Sequence, residues 1–591
     1  MAQASNFKTL PELVLNELRY ALPKVDFITY ENNQPIALFR DHFFEKCAQI
    51  AIGLSKLSIN EGENIVVVGP SGPSWLMVDL AIQACGGVSV PFFANIPKNV
   101  IEDQIDLTKA KKLFWLGDLP LQDFESQISK FESVWVENHS LIQTSKNIAL
   151  LESLIQPLDK KKLIHEFEQL CQKLTSSQVA TIIFTSGSTA KPKGVVLTQN
   201  NLVTQIRGAS KTFPLNHEKD TALSCLPLAH VFERMVTYFY LSSGVSIHWV
   251  DDLQKVAERM QSSKPTVMTS VPRLLEKVFN AMTLKINTAA FPINKIGNRA
   301  LKLASSKMSN SLTSSIEYKI YDKIFYSKFR KAFGGNMAMM ISGGAALPPH
   351  LATFFNNIGV PTFQGYGLTE SSPVIAANCP VANKIGSVGK AFPQSQIKID
   401  PETEEILSHG PHIMQGYYLQ KEATQECIDK DGWLHTGDQG KIDEDGYLFI
   451  TGRIKELYKT SNGKYVRPVP IEALLCTSQW IDQAMVVADA KPFVTVILSF
   501  DDKNLQQLEV LTQQTAKKLE DLLEHDELKK QIQSHIDKTN KSLHPWEQIR
   551  KFAWIPKALS AESGELTPTM KIKRHIVQKK YSFIINSMYN T

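Results

Sequence analysis

A chain of 591 residues is too long for one hydrophobic core, and its 43% hydrophobic and 21% charged residues exclude wholesale disorder, so two or more folded domains are expected. Seven cysteines, no two closer than 38 positions, exclude a closely spaced metal cluster and predict reduced thiols in a cytoplasmic setting. The net charge of +5 is local: Lys285 to Lys331 holds ten Lys or Arg against Glu317 and Asp322, which argues for one anionic partner surface and against general nucleic-acid affinity.

The opening MAQASNFKTLPELVLNEL has no basic start followed by an apolar run, so no signal peptide is expected, and no stretch reaches the ~18 apolar residues of a membrane span. Apolar runs bounded by turn residues predict strands at NIVVVG (64–69), GGVSVPFF (86–93), VATIIF (179–184), TVMTSV (266–271) and MAMMISGG (337–344). Several are continuous rather than alternating, the pattern of strands covered on both faces. Helical patterns fall between them, as in WLMVDLAIQAC (75–85) and NLVTQIRGASKTF (201–213), the latter with Asn200 or Asn201 as its expected cap. Alternating strands and helices predict an α/β fold with mainly parallel sheets. A change of texture at 452–456 predicts a smaller α+β domain behind it. Hairpin turns at Asp445-Gly446 and Asn462-Gly463 flank the boundary, and behind it come a helix near Ile471–Cys476, two strands (484–489 and 493–500) and then long charged helices.

FTSGSTAKPKG (184–194) packs two glycines, four hydroxyl side chains and two lysines into eleven positions. A strand precedes it and another, GVVLT, follows, whereas a Walker A loop passes from a strand directly into a helix. The glycine-lysine spacing of that motif is also missing, so a P-loop NTPase is excluded. Successive N–H groups, hydroxyls and lysines still make an anion nest, and a solvated hairpin loop is the other reading of these residues.

Four further stretches follow in order: GYGLTESSP (365–373), LHTGD (434–438), GRIKEL (452–457) and LTPTMKIKR (566–574). Together with the loop they resemble the adenylate-forming superfamily of acyl-CoA synthetases, peptide-synthetase adenylation domains and luciferases. The loop from Thr185 to Gly194 follows that family's pattern except at Ala190, where relatives carry glycine. If that position needs a positive φ, alanine costs on the order of 1 kcal/mol. LPLAHVFER (226–234), SVPRLLEKV (270–278) and the stretch from Tyr321 to Leu347 look like the long-chain fatty acyl-CoA synthetase branch.

The resemblance implies a large N-terminal adenylation domain over 1–452 that binds ATP and fatty acid. A small mobile lid domain would cover 453–591, with the hinge near 453–456 at Lys455. It implies that Lys571 bridges the substrate carboxylate and the α-phosphate, with Lys573 as the competing register. Glu370 would hold Mg²⁺, and Thr369 would bind the α-phosphate. Thr185, Ser186, Gly187, Ser188, Thr189 and Lys193 would cradle the triphosphate. Gly344, Ala345 and Tyr366 would receive adenine, and Asp438 and Arg453 the ribose. His230, Gly343 and Ser371 would line the acyl end, although a lone histidine among apolar residues is commonly a packed one.

Such a chain would activate a long-chain fatty acid to acyl-AMP and transfer it to CoA, with Mg²⁺, ATP and CoA required. A fatty acyl-AMP ligase serving an acyl carrier protein would use the same adenylation residues, and an inactive nucleotide- or lipid-binding relative is the remaining alternative. Basic, partly apolar helical stretches within 285–331 predict peripheral contact with an anionic membrane, or else a solvated face.

Overall fold

The computed structural model describes residues 7–20, 26–31, 33–57, 59–94, 98–119, 124–138, 147–185, 192–306, 312–454, 457–478, 480–500, 505–512, 522–560, 563–567 and 571–589. These form two compact units. One comprises Met1–Ile399, Leu407–Thr436 and Ile442–Phe449, and the other Asp400–Ile406, Gly437–Lys441 and Ile450–Thr591.

The apolar runs of the first unit become the centres of two sheets. In the eight-stranded sheet, Asn64–Gly69, Val88–Phe93, Lys112–Trp115 and Val179–Thr185 run parallel, and Lys193–Thr198 and Gly416–Tyr417 extend one edge antiparallel. In the nine-stranded sheet, Thr221–Ser224, Ser246–Trp249, Val267–Ser270, Met339–Ser342 and Thr362–Gly367 are parallel, with antiparallel pairs at both ends. The central strands are buried on both faces: Val66, Val67, Val68, Leu223, Met268 and Met340 have essentially no exposed surface. Helices such as Pro73–Ala84, which starts on a proline, cover them and supply Trp75, Leu76, Val78 and Leu80 to the main core. The fold is therefore α/β, with parallel sheet centres and antiparallel strands at three of the four edges of these two sheets.

One local expectation is corrected. The helix Gln199–Thr212 is capped by Thr198, whose hydroxyl accepts from the Asn201 N–H while the Asn201 side chain accepts from the Thr198 N–H. Asn201 is thus the reciprocal partner of a capping box rather than the cap. The helical stretch expected near the end of 285–331 is present, and in it Leu312–Tyr321 passes through one π-helical segment, Asp322–Tyr326, into Ser327–Ala332.

The second unit contains a three-stranded sheet in the order Gln483–Val487, Val494–Ser499, Ile549–Trp554, the first pair antiparallel and the second parallel. Pro468–Leu475 and Asp526–Asn540 pack their apolar faces on one side through Ile471, Leu475, Leu528, Ile532 and Ile536. Val577, Tyr581 and Ile585 from the C-terminal helices join Met485, Val487 and Ile497 in a second cluster. The strand Ile549–Trp554 has no counterpart among the sequence expectations, because its apolar residues are interrupted by Arg550 and Lys551.

Candidate active site

The hydroxyl-rich loop is the connection of an antiparallel hairpin. Thr185 ends one strand and Lys193 begins the next; the two are register partners, and the Thr185 hydroxyl donates to the Lys193 carbonyl at 3.3 Å. Ser186, Gly187, Ser188, Thr189 and Ala190 lie outside the described residues.

Beside this hairpin the edge strand Gly416–Tyr417 pairs Tyr417 with Val195. That register carries the phenol to the foot of the loop, where the Lys193 Nζ stands 4.6 Å from the centre of its ring. The Tyr417 hydroxyl donates to Glu370 Oε1 at 2.8 Å. Burial and the adjacent Glu370 carboxylate push the Tyr417 pKa upward, so the phenol stays protonated and remains a donor. Lys193 and Glu370, 177 positions apart, are thereby joined through one aromatic residue that the sequence reading did not single out.

Thr369 and Glu370 sit in a 3₁₀ turn, Thr369–Ser371, immediately after strand Thr362–Gly367. The turn is closed by Ser371: its hydroxyl accepts from the Leu368 N–H at 2.9 Å and lies 2.5 Å from the Pro373 carbonyl, to which it donates. Ser371 is fully buried. Its hydroxyl shapes the turn that presents Thr369 and Glu370, whereas Thr369 and Glu370 themselves remain half-buried.

Glu370 Oε2 has no hydrogen-bond partner among the described residues. One hard oxygen linked through Tyr417 to Lys193 fits Mg²⁺, which is commonly bound by one or two carboxylates plus phosphate oxygens.

Gly343 and Gly344 follow strand Met339–Ser342. A Cβ on Gly343 would lie 3.0 Å from two atoms of the Phe232 ring, and Gly344 has φ +79°, so each position favours glycine for a separate reason. Ala345 follows, exposed. Tyr366 is buried within its strand and paired to Ala376.

His230 caps helix Val231–Ser243, its Nδ1 accepting the Phe232 N–H at 3.2 Å. The two charges behind it are buried. Glu233 accepts from the Ser224 hydroxyl at 2.5 Å and from Thr269, and desolvation raises its pKa to about 7. Arg234 forks onto Asp79 and reaches the Thr181 hydroxyl at 2.7 Å. LAHVFER therefore ties one helix to both sheets, through Ser224 and Thr269 of one and Thr181 of the other.

In the second unit, Arg453 Nε donates to Asp438 Oδ1 at 2.8 Å, with Asp438 buried and Arg453 exposed. Lys455 lies outside the described residues. Lys571 is exposed; its N–H donates to the Thr567 hydroxyl at 3.0 Å, and its carbonyl accepts from the Thr567 N–H at 2.8 Å. Lys573 instead occupies the N-cap position of helix Arg574–Lys580 without a side-chain cap, and its N–H donates to the Glu565 carbonyl. Arg574 is held by a two-pronged ion pair to Glu472, both distances 2.6 Å.

Residues 40–418 match the AMP-binding enzyme family, and residues 456–591 match the AMP-binding enzyme C-terminal domain. The chain is 33% identical over 563 residues to a long-chain-fatty-acid–CoA ligase, FadD15, of Mycobacterium bovis, covering 91% of this chain and 90% of that protein. It is 28% identical to the long-chain-fatty-acid–CoA ligase ACSBG2 of Homo sapiens, covering 93% and 88%. Among solved structures, the anthranilate CoA ligase AuaEII in complex with anthranoyl-AMP is similar in fold, with a TM-score of 0.70 at 17% identity and 97% of each chain covered. The A domain of carboxylic acid reductase from Segniliparus rugosus, in complex with AMP and a co-purified carboxylic acid, gives 0.73 at 17% identity, covering 100% of this chain and 96% of that one.

Proposed function

The chain belongs to the AMP-binding enzyme family, and we propose on that premise that it is a long-chain fatty acid:CoA ligase forming AMP. The similarity to FadD15 and ACSBG2 over nearly the whole chain supports the acyl class and the CoA acceptor. The observation that carries the adenylation chemistry is the meeting of Lys193 and Glu370 at Tyr417, at the foot of the hydroxyl-rich hairpin.

A carboxylate is a poor electrophile. One of its oxygens attacks the α-phosphorus of ATP, the bond to the pyrophosphate oxygen breaks, and acyl-AMP forms. The CoA thiol, losing its proton, then attacks the acyl carbon and AMP leaves with the former carboxylate oxygen. Two anions meet in the first step, so fixed positive charge and oriented donors dominate the catalytic term. In this reading Lys193 binds phosphate oxygens, the Thr369 hydroxyl donates to the α-phosphate, and Lys571 supplies a mobile point charge between the carboxylate and that phosphate. Glu370 would hold Mg²⁺, which would supply charge neutralisation when bound. Asp438 accepts from the ribose hydroxyls, with Arg453 orienting its carboxylate.

We also assign residues 285–331 as the contact with an anionic membrane. Both acids of the segment are neutralised locally, Glu317 by Arg299 and Asp322 by Arg330, which leaves exposed lysines such as Lys319, Lys323 and Lys328 as its outward charge. Ile316, Ile320 and Ile324, at helical spacing, are exposed to 60%, 51% and 43%. No helix among the described residues is long and apolar enough to cross a membrane.

Product analysis with ATP, Mg²⁺ and a series of fatty acids, with and without CoA, tests the function. Acyl-CoA and AMP that appear only with CoA and fall sharply in Lys571→Ala are the expected result. Acyl-adenylate that CoA does not consume would assign the acceptor to a carrier protein instead.

A further inference from the structure

Lys571 stands, exposed, at the end of a short antiparallel pairing whose arms are 565–567 and 571–573. Thr567 and Lys571 share two bonds, from the Thr567 N–H to the Lys571 carbonyl and from the Lys571 N–H to the Thr567 hydroxyl. Leu566 and Ile572 form the bridge, and the Lys573 N–H donates to the Glu565 carbonyl at 2.7 Å. Arms this short do not hold themselves in water, because an isolated two-stranded hairpin is marginal even when longer. They need an outside anchor, and the Glu565 side chain supplies it.

That side chain is 2% exposed. A buried carboxylate is costly unless its oxygens are hydrogen-bonded, and here each oxygen takes two donors. Oε1 accepts from Lys580 Nζ at 2.5 Å and from the Tyr581 hydroxyl at 3.0 Å. Oε2 accepts from the Ser563 hydroxyl and, at 3.4 Å, from the Ser560 N–H. The second arm runs directly into helix Arg574–Lys580. The bond to Lys580 therefore ties the first arm to the far end of the helix that continues the second, and the hairpin is locked at its foot. The near end of that helix is fixed as well. Arg574 forks onto Glu472, whose Oε1 also accepts the Val486 N–H at 2.8 Å. Position thus passes from strand Gln483–Val487 through Glu472, Arg574, the helix and Glu565 to the backbone of Lys571.

We infer that Glu565 is a positioning residue for the adenylation step, acting through Lys571 and not on the substrates. The inference rests on Lys571 being the lysine that bridges the carboxylate and the α-phosphate. A point charge on a flexible stem serves that purpose only where its backbone is held, and a misplacement of about 1 Å can cost about a hundredfold in rate.

The test uses the full chain with Glu565→Ala, Glu565→Gln, Lys571→Ala and the double variant Glu565→Ala with Lys571→Ala. The half-reactions are read separately, as fatty-acid-dependent pyrophosphate exchange and as conversion of supplied acyl-AMP to acyl-CoA. Glu565→Ala is expected to lower kcat for pyrophosphate exchange tenfold or more, with little change in KM for ATP or in the conversion of supplied acyl-AMP. Glu565→Gln, whose amide oxygen still accepts, should lose less, and it carries the same tests if Glu565→Ala does not fold. Amide hydrogens at Thr567 and Lys571 should lose protection in both, while strand Gln483–Val487 keeps its own. The double variant should be no slower than Lys571→Ala alone, because the two act as one unit. Tyr589→Phe is the control: it removes bonds to the Val487 and Phe493 carbonyls in the same unit and should lower Tm without slowing pyrophosphate exchange.

Equal losses in both half-reactions, or additive losses in the double variant, would make Glu565 a residue of the fold alone and overturn the inference. Undiminished pyrophosphate exchange in Glu565→Ala, with Lys571→Ala inactive, would overturn it and leave the role of Lys571 standing. Undiminished exchange in Lys571→Ala would remove that role, and the inference with it.

Discussion

The Tyr417 hydroxyl donates to Glu370 Oε1 at 2.8 Å while the Lys193 ammonium sits 4.6 Å from the centre of the Tyr417 ring. One residue on a two-residue edge strand thus fixes a carboxylate and offers its ring to the cation beside it. A hydrogen bond to a charged group contributes about 1.5–3 kcal/mol, and a cation near an aromatic face roughly 0.5–2 kcal/mol.

Tyr417→Phe removes the first interaction and keeps the second. The Mg²⁺ concentration giving half-maximal pyrophosphate exchange is expected to rise several-fold, with a change in Tm of only a degree or two. Tyr417→Leu should additionally raise KM for ATP. An unchanged Mg²⁺ dependence in Tyr417→Phe would show that Glu370 needs no such support.

Glu233 gives a pH dependence of stability with a definite sign. Its folded pKa, about 7, lies above the ordinary carboxylate value because burial disfavours the charge. The folded state binds the proton more tightly, so the contribution is fully present below the unfolded pKa of about 4.3 and is lost as pH rises through 7. The loss is on the order of 3 kcal/mol. Glu233→Gln should flatten Tm against pH over that window and raise Tm at pH 8 relative to the parent. A parallel profile for the two proteins would contradict the shift.

Arg234 and Asp79 are fully buried partners, joined by Tyr238 and Thr181. Removing one charge from such a pair costs about 3–5 kcal/mol, because the other is left uncompensated. Arg234→Met is expected to lower the urea midpoint strongly, and the double change Arg234→Met with Asp79→Leu to recover part of the loss. Equal destabilisation in the single and double variants would refute the coupling.

The face carrying Ile316, Ile320 and Ile324 is tested by sedimentation with vesicles containing phosphatidylserine. The parent should bind at low salt and release as salt rises, since the lysines act through a screened potential. Replacing all three isoleucines by serine should weaken binding tenfold or more, by removing apolar area from the lipid boundary. Binding that is equal on neutral vesicles, or absent at low salt, would reject the assignment.

The α/β class and the hairpin around the loop were legible in the sequence because they are local. A short continuous apolar run bounded by turn residues suits a strand covered on both faces, and a strand-loop-strand order cannot build a Walker site. Thr369, Glu370, Asp438 and Arg453 were proposed through motif resemblance, which records what chemistry needs without recording where the chain puts it. Tyr417 was not legible, because its meaning comes from its pairing with Val195 across the edge of the sheet, 222 positions away. Nor did the motif LAHVFER disclose that Glu233 and Arg234 are buried anchors, since charge in a sequence normally reads as surface. Long-range register and desolvation are properties of the assembled sheets, and only they decided which polar residues meet, which are sealed from water, and which remain exposed to a ligand.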